Sequence, residues 1–128
     1  MPGERHAIDA GGAPPAIGPY SHAVSAAGLL FCSGQIPLDA GTGELVGETP
    51  GEQARRCLEN LQVVCEAAGT TLERAARLTV YMTDLSAFAE VNEVYAAFFE
   101  GDPPARAAVG VAALPRGAQV EIDAIVAL

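Results

Sequence analysis

Residues 76–99, ARLTVYMTDLSAFAEVNEVYAAFF, change their hydrophobic period part-way along and so set the order of elements around them. Leu78, Val80 and Met82 alternate with Arg77, Thr79 and Tyr81, the two-residue period of a strand over 76–83. From about Ser86 to Phe99 the apolar residues fall at Phe88, Val91, Val94 or Tyr95, and Phe98, which predicts a helix with one inward stripe. Upstream, Thr49-Pro50-Gly51-Glu52 reads as another helix start. Thr49 can cap, Pro50 suits the first helical position and Glu52 completes a capping box. Ala54, Cys57 or Leu58, Leu61, Val64 or Cys65, and Ala68 follow at helical spacing, and Gly69 supplies the stop. Residues 22–27 and 29–33 read as two short strands around Gly28, and 39–43 as a turn-rich loop. Residues 106–111 and 118–126 read as strands joined through Pro115-Arg116-Gly117. The order strands, helix, strand, helix, strands predicts an α+β fold, a mixed sheet with both helices on one face. The other face then needs cover, which self-association would supply.

The 128 residues amount to one domain, expected over 1–128, and half of them are apolar. A monomer of this size buries roughly two-thirds of its unfolded-chain surface, enough for a core without metal or disulfide support. No apolar run approaches the ~18 residues of a membrane-spanning helix. Residues 1–10 carry mixed charge and no apolar stretch, so no secretory signal is visible and the cytoplasm is the expected location. Cys57 and Cys65 sit about 12 Å apart along one predicted helix, too far for a bridge. With Cys32 they read as small buried hydrophobes rather than reactive thiols. Neither the cysteines nor His6 and His22 show a metal-ligand spacing, and no metal site is expected. Gly41 and Gly43 lack the lysine and third glycine of a phosphate cradle. The net charge of −9, from seven basic and sixteen acidic residues, weighs against a nucleic-acid partner.

The last two strands carry the chemistry. In residues 120–126, VEIDAIV, Val120, Ile122, Ala124 and Val126 occupy one face, and Glu121 and Asp123 share the other, their backbones roughly 6–7 Å apart. In residues 106–111, RAAVGV, Val109 and Val111 share one face, and Arg106, Ala108 and Gly110 the other. Pairing of these two strands would put the valine faces together and gather Arg106 with Glu121 and Asp123 beside two positions almost without side chain. A solvated sheet face with an incidental ion pair stands beside a functional reading. In the latter, arginine's planar fork grips a carboxylate through two parallel hydrogen bonds. A carboxylate nearby holds or deprotonates water, and a second one raises its pKa. These residues point to a small carboxylic acid and water chemistry, and no further.

Over essentially its whole length the chain resembles the YjgF/RidA family. The resemblance is carried by Gly18-Pro19-Tyr20-Ser21, Ser33-Gly34-Gln35-Ile36-Pro37, residues 39–43, Asp84-Leu85, Val91-Asn92 with Tyr95, Pro104-Ala105-Arg106, Leu114-Pro115, and Val120-Glu121-Ile122 followed by an acidic residue. It implies a chorismate-mutase-like fold, a six-stranded sheet carrying two helices, assembled as a homotrimer with clefts between subunits. It also implies hydrolysis of the reactive imines 2-iminobutanoate and 2-iminopropanoate to 2-keto acids and ammonia, a form of metabolite damage control that needs no cofactor. By the same resemblance Arg106 binds the substrate carboxylate and Glu121 orients the attacking water. Tyr20, Ser33, Gly34 and Asn92 line the cleft, and backbone groups near Gly34 and Ala108 hold the substrate.

Three positions depart from the family's pattern. Ala108 stands where many members have cysteine, Asp123 where glutamate is common, and His22 where glutamine is common. His22 reads as a strand residue at the cleft edge, with a proton-transfer role as the alternative. Without the motifs, Tyr20 reads as a loop anchor and Asn92 as a solvated helix residue. Two other activities remain in view: a single-stranded RNA endoribonuclease or translation inhibitor, and a non-enzymatic ligand-binding trimer. The acidic balance and the lack of a basic, aromatic stripe weigh against the first. The retained Arg106 and Glu121 weigh against the second.

Overall fold

A computed structural model describes residues 3–128. Among them, strands β1 (Arg5–Ile8), β2 (Ala23–Ala26), β3 (Leu29–Gln35), β4 (Ala75–Met82), β5 (Ala105–Gly110) and β6 (Val120–Ala127) form one sheet in the order β1-β2-β3-β6-β4-β5. Helices α1 (Pro50–Ala67) and α2 (Phe88–Ala97) pack against each other, and α1 lies on β3 and β6. The sheet is mixed, because β4 and β5 run parallel while every other pairing is antiparallel. The chain is therefore the α+β protein the periodicities predict.

Helix α1 begins where its capping box says. The Thr49 hydroxyl accepts from the Glu52 N–H at 3.1 Å, and the Glu52 carboxylate accepts from the Thr49 N–H at 3.1 Å. Its apolar stripe, Ala54, Cys57, Leu58, Leu61, Val64 and Cys65, is fully buried against Leu30, Leu78, Val80, Ile122 and Val126 of the sheet. Each buried leucine or valine contributes about 1.5–3 kcal/mol relative to exposure. All three cysteines are buried and unbridged. Strands β2 and β3 form a hairpin in which Ala27 (φ 54°) and Gly28 (φ 76°) both take the left-handed conformation, the two-residue turn whose twist matches that of the strands.

Helix α2 is shorter than its periodicity suggests. A 3-10 turn over Leu85–Ala87, capped by the Asp84 carboxylate on the Ser86 N–H at 3.0 Å, takes up the first residues. Val91, Tyr95 and Phe99 are buried, with Phe88, Val94 and Phe98 packed at the margin. The 39–43 segment is a turn closed on itself, in which Asp39 Oδ1 accepts from the Gly41 and Thr42 N–H groups.

The neighbour order corrects the sequence reading. Strands β5 and β6 do not pair, because β4 lies between them. The physical reason is α2. A strand, a helix and a strand in succession form a crossover unit whose strands run parallel. The central slot beside β4 is thus left for β6, running antiparallel. Register then fixes the faces. Arg106 sits opposite Leu78 and so points to the helix side, whereas Glu121 sits opposite Tyr81 and Asp123 opposite Thr79, on the open side. Arg106 does not share a face with the two carboxylates. Strand β1, a four-residue edge strand paired only with β2, was not legible in the sequence. On the open side Phe31 and Val109 are 43% and 41% exposed, so this face carries uncovered apolar surface.

Candidate active site

The residues singled out by the sequence fall into two groups on one chain. The first surrounds Glu121. Ile17, Tyr20, Gly34, Ile36, Pro115 and Glu121 line a cleft of about 270 Å³ between the end of β3 and the start of β6. Gly34 is there for space rather than for backbone freedom, since a Cβ added to it would overlap the Glu121 carboxylate. Ser33 donates its hydroxyl to the Ser21 carbonyl at 2.6 Å and so ties the strand to the 18–21 loop instead of facing the cleft as a free donor. Tyr20, half-exposed, accepts the Ile17 N–H at 3.2 Å. It forms a wall of the cleft as well as a loop anchor.

Glu121 is half-buried. Burial pushes its carboxyl above the ordinary range, and the neighbouring Asp123 charge pushes it further in the same direction. Asp123 is itself occupied, accepting the Tyr81 hydroxyl at 3.0 Å, and burial together with this bond raises the Tyr81 phenol. One carboxylate of the pair is thus tied down, and the other lines the cleft with its pKa raised.

The second group surrounds Arg106, at the sheet edge beneath α2. Its Nη1 donates to Asn92 Oδ1 at 2.6 Å, so Asn92 is an arginine partner and not merely a solvated helix residue. The guanidinium carbon lies 5.0 Å from the centre of the Phe88 ring and 4.8 Å from that of Tyr95. Sequence reasoning assigned both rings to the core. Their spacing with Asn92, four residues and then three, was the available sign that all three share one helix face. Ala108, opposite Val80, is exposed on the same side of β5 as Arg106.

His22 is no proton shuttle in this arrangement. Its Nδ1 accepts the Ala10 N–H at 2.9 Å, so Nε2 carries the proton and donates to the Pro14 carbonyl at 2.8 Å. The exposed Asp9 carboxylate, 3.5 Å from Nδ1, meets a nitrogen whose lone pair is already taken. The buried ring clips residues 10–14 to the edge of the site. A larger cleft of about 520 Å³ among Glu59, Gln62, Leu72 and Phe98 holds none of the predicted residues. Its Gln62 is already bonded to Glu66 and to the Leu72 N–H. Among the described residues no group of three His, Cys, Asp or Glu side chains is placed to hold a metal ion. No helix among the described residues is long and apolar enough to cross a membrane.

The family model described as Endoribonuclease L-PSP matches residues 10–128. The chain belongs to the YjgF/RidA family. Within the family it is 50% identical over 121 residues to the RutC family protein y4sK of Sinorhizobium fredii, covering 94% of this chain and 96% of that one. It is 46% identical over 121 residues to a mouse protein named 2-iminobutanoate/2-iminopropanoate deaminase, covering 94% and 90%. The crystal structure of E. coli TdcF with bound serine superposes with a TM-score of 0.90 at 40% identity, covering 96% of this chain and 98% of that one.

Proposed function

We propose that this RidA-family protein is a cytoplasmic homotrimer that hydrolyses small 2-imino acids, such as 2-iminobutanoate and 2-iminopropanoate, to 2-keto acids and ammonia. The observation that carries the reading is the division of the site. A guanidinium presented at one edge of the sheet and a half-buried carboxylate with a raised pKa on the open face are the two groups this reaction needs. On one chain they point to opposite sides of the sheet. A cleft assembled from the Glu121 side of one copy and the Arg106 side of the next brings them together. The uncovered apolar surface of the open face, with Phe31 and Val109, supports such an assembly. The named activity of the mouse relative and the serine bound to TdcF, an amino acid with a carboxylate and an amine on one carbon, support the substrate class.

In this reading Arg106 holds the carboxylate of the imino acid, with Asn92 fixing one of its donors. The Glu121 carboxylate takes a proton from water as the water oxygen bonds to the imine carbon. The same carboxyl returns that proton to the nitrogen of the protonated imine's adduct, then takes the adduct's hydroxyl proton as the carbonyl forms and the carbon–nitrogen bond breaks, leaving the keto acid and ammonia. A base whose pKa lies above the ordinary carboxylate range suits both steps near neutral pH. Tyr20 and Gly34 shape the cleft, and the main chain near Gly34 and Ala108 contacts the substrate.

The family description names an endoribonuclease, and an RNA assay belongs beside the deaminase assay. The charge of −9 and the acidic cleft disfavour a polyanion. In the direct test, 2-iminobutanoate is generated by a threonine dehydratase in the presence of semicarbazide, which competes for the imine. The protein is expected to accelerate loss of the imine well above its spontaneous hydrolysis. Imine loss at the solvent rate, or RNA cleavage abolished by Glu121→Gln, would remove the reading.

A further inference from the structure

The surroundings of Arg106 go beyond a single charged contact. Phe88, Asn92 and Tyr95 lie on one face of α2, and their side chains converge on the guanidinium. The two rings sit either side of Asn92 along the helix, and the guanidinium carbon is within 5.0 Å of both ring centres. Its charge lies over the electron-rich faces of two aromatic rings, an arrangement that holds a planar cation more firmly than a flexible ammonium. Asn92, between the rings, occupies one N–H. What remains open is the outer edge of the fork.

We propose that Phe88 and Tyr95 are positioning residues, a two-ring clamp that holds the Arg106 guanidinium edge-on so that a substrate carboxylate docks in its plane. This deepens the reading of Arg106 as the carboxylate holder and rests on it. The clamp is anchored in the core: Tyr95 is buried and its ring packs against that of Phe99, with centres 4.8 Å apart and planes tilted by 46°. The Tyr95 hydroxyl is buried and has no hydrogen-bond partner among the described residues, so the ring, not the hydroxyl, is what the site uses. Burial also raises the phenol, which stays neutral beside the cation. A pre-oriented fork has already lost its rotamer freedom in folding, and a carboxylate that docks on it does not have to freeze it again. A 2-imino or 2-keto acid, whose carboxylate is conjugated with a planar C2, presents its oxygens in one plane and matches an edge held in this way.

The test separates the clamp from the deaminase reading by using an unreactive ligand. 2-Oxobutanoate is titrated into the parent protein, Phe88→Leu, Phe88→Tyr, Arg106→Lys and the double variant Phe88→Leu/Arg106→Lys, with folding and oligomeric state checked for each. Phe88→Leu is expected to weaken binding about 3- to 10-fold and to raise KM for the imine by a similar factor while kcat changes far less. Phe88→Tyr, which keeps the ring, restores affinity. In the Arg106→Lys background Phe88→Leu has little further effect, because the planar cation it served is gone. Unchanged affinity in a folded Phe88→Leu variant, or full additivity with Arg106→Lys, overturns the clamp. Parent protein that binds 2-oxobutanoate through the clamp yet hydrolyses no imine keeps the clamp and removes the deaminase reading. No binding to the parent overturns both.

Discussion

Arg106 and Glu121 are housed in opposite ways. The Arg106 guanidinium is held, with an amide oxygen on one N–H and two aromatic rings within 5.0 Å. The Glu121 carboxylate is half-buried beside the Asp123 charge with its pKa raised. A group meant to hold a ligand gains from being fixed before the ligand arrives. A group meant to exchange protons gains from an environment that leaves both of its protonation states accessible. The two housings are separated by β4 and face opposite sides of the sheet, so on one chain the difference has no consequence. It acquires one in the proposed assembly, where a second copy sets them against each other.

Substitutions should expose the contrast, and the largest effect is expected at Glu121. Glu121→Gln removes the base and is expected to lower kcat by about 100-fold or more, with little change in KM. Arg106→Ala removes a charge-assisted contact and is expected to cost about 10- to 100-fold in kcat/KM, mainly through KM. Steady-state kinetics on both, with the trap present, reads the split. If the two variants lose kcat and KM in the same proportions, the assignment of separate tasks is broken.

A third substitution probes the scaffold. His22→Ala leaves the Ala10 N–H and Pro14 carbonyl without their partner, and denaturant unfolding is expected to show a loss of about 1–3 kcal/mol. The shape of the pH–rate profile should not change, because the ring nitrogens are engaged by backbone. A lost titration limb in this variant would return His22 to the proton path.

The smallest effects concern pH. With the Glu121 pKa raised, the acid limb of kcat/KM should lie above the ordinary carboxylate range, and Asp123→Asn should move it part of the way down, burial being the larger cause. The sign for stability is opposite to that for activity. A carboxyl raised in the folded state stabilises fully while protonated, and this contribution is lost as pH rises through its folded value. Glu121→Gln should therefore be more stable than the parent near neutral pH and lose that advantage below about pH 4. Thermal unfolding of both proteins across this range checks it.

Most of the fold could be read from periodicity and punctuation. Thr49 and Glu52 announce α1, Gly28 the β2–β3 hairpin, and the alternation of residues 76–83 and 120–126 the strands β4 and β6. Neighbour order could not, because a period of two assigns side chains to faces without saying which strand lies alongside. That is why Arg106 was expected beside Glu121 and is found opposite Leu78. Strand β1 escaped because Arg5, His6 and Ala7 are exposed on a short edge strand and carry no buried alternation. The site residues were named through the family's motifs. The two rings around Arg106 were hidden by their own hydrophobicity, since a phenylalanine and a tyrosine at helical spacing read as core, and Tyr95 is also core.

The central claim, that one chain supplies Glu121 and its neighbour Arg106, is tested most directly by subunit complementation. Chains carrying Arg106→Ala and Glu121→Gln, each nearly inactive alone, are co-expressed in equal amounts and the mixed oligomers purified. With random assembly, about one quarter of the shared clefts receive an intact Glu121 from one chain and an intact Arg106 from the next. Activity on 2-iminobutanoate is expected to return to about that fraction of the parent's. Mixed oligomers no more active than the two variants measured separately would contradict the account, because a site contained within one chain has no intact copy to recover.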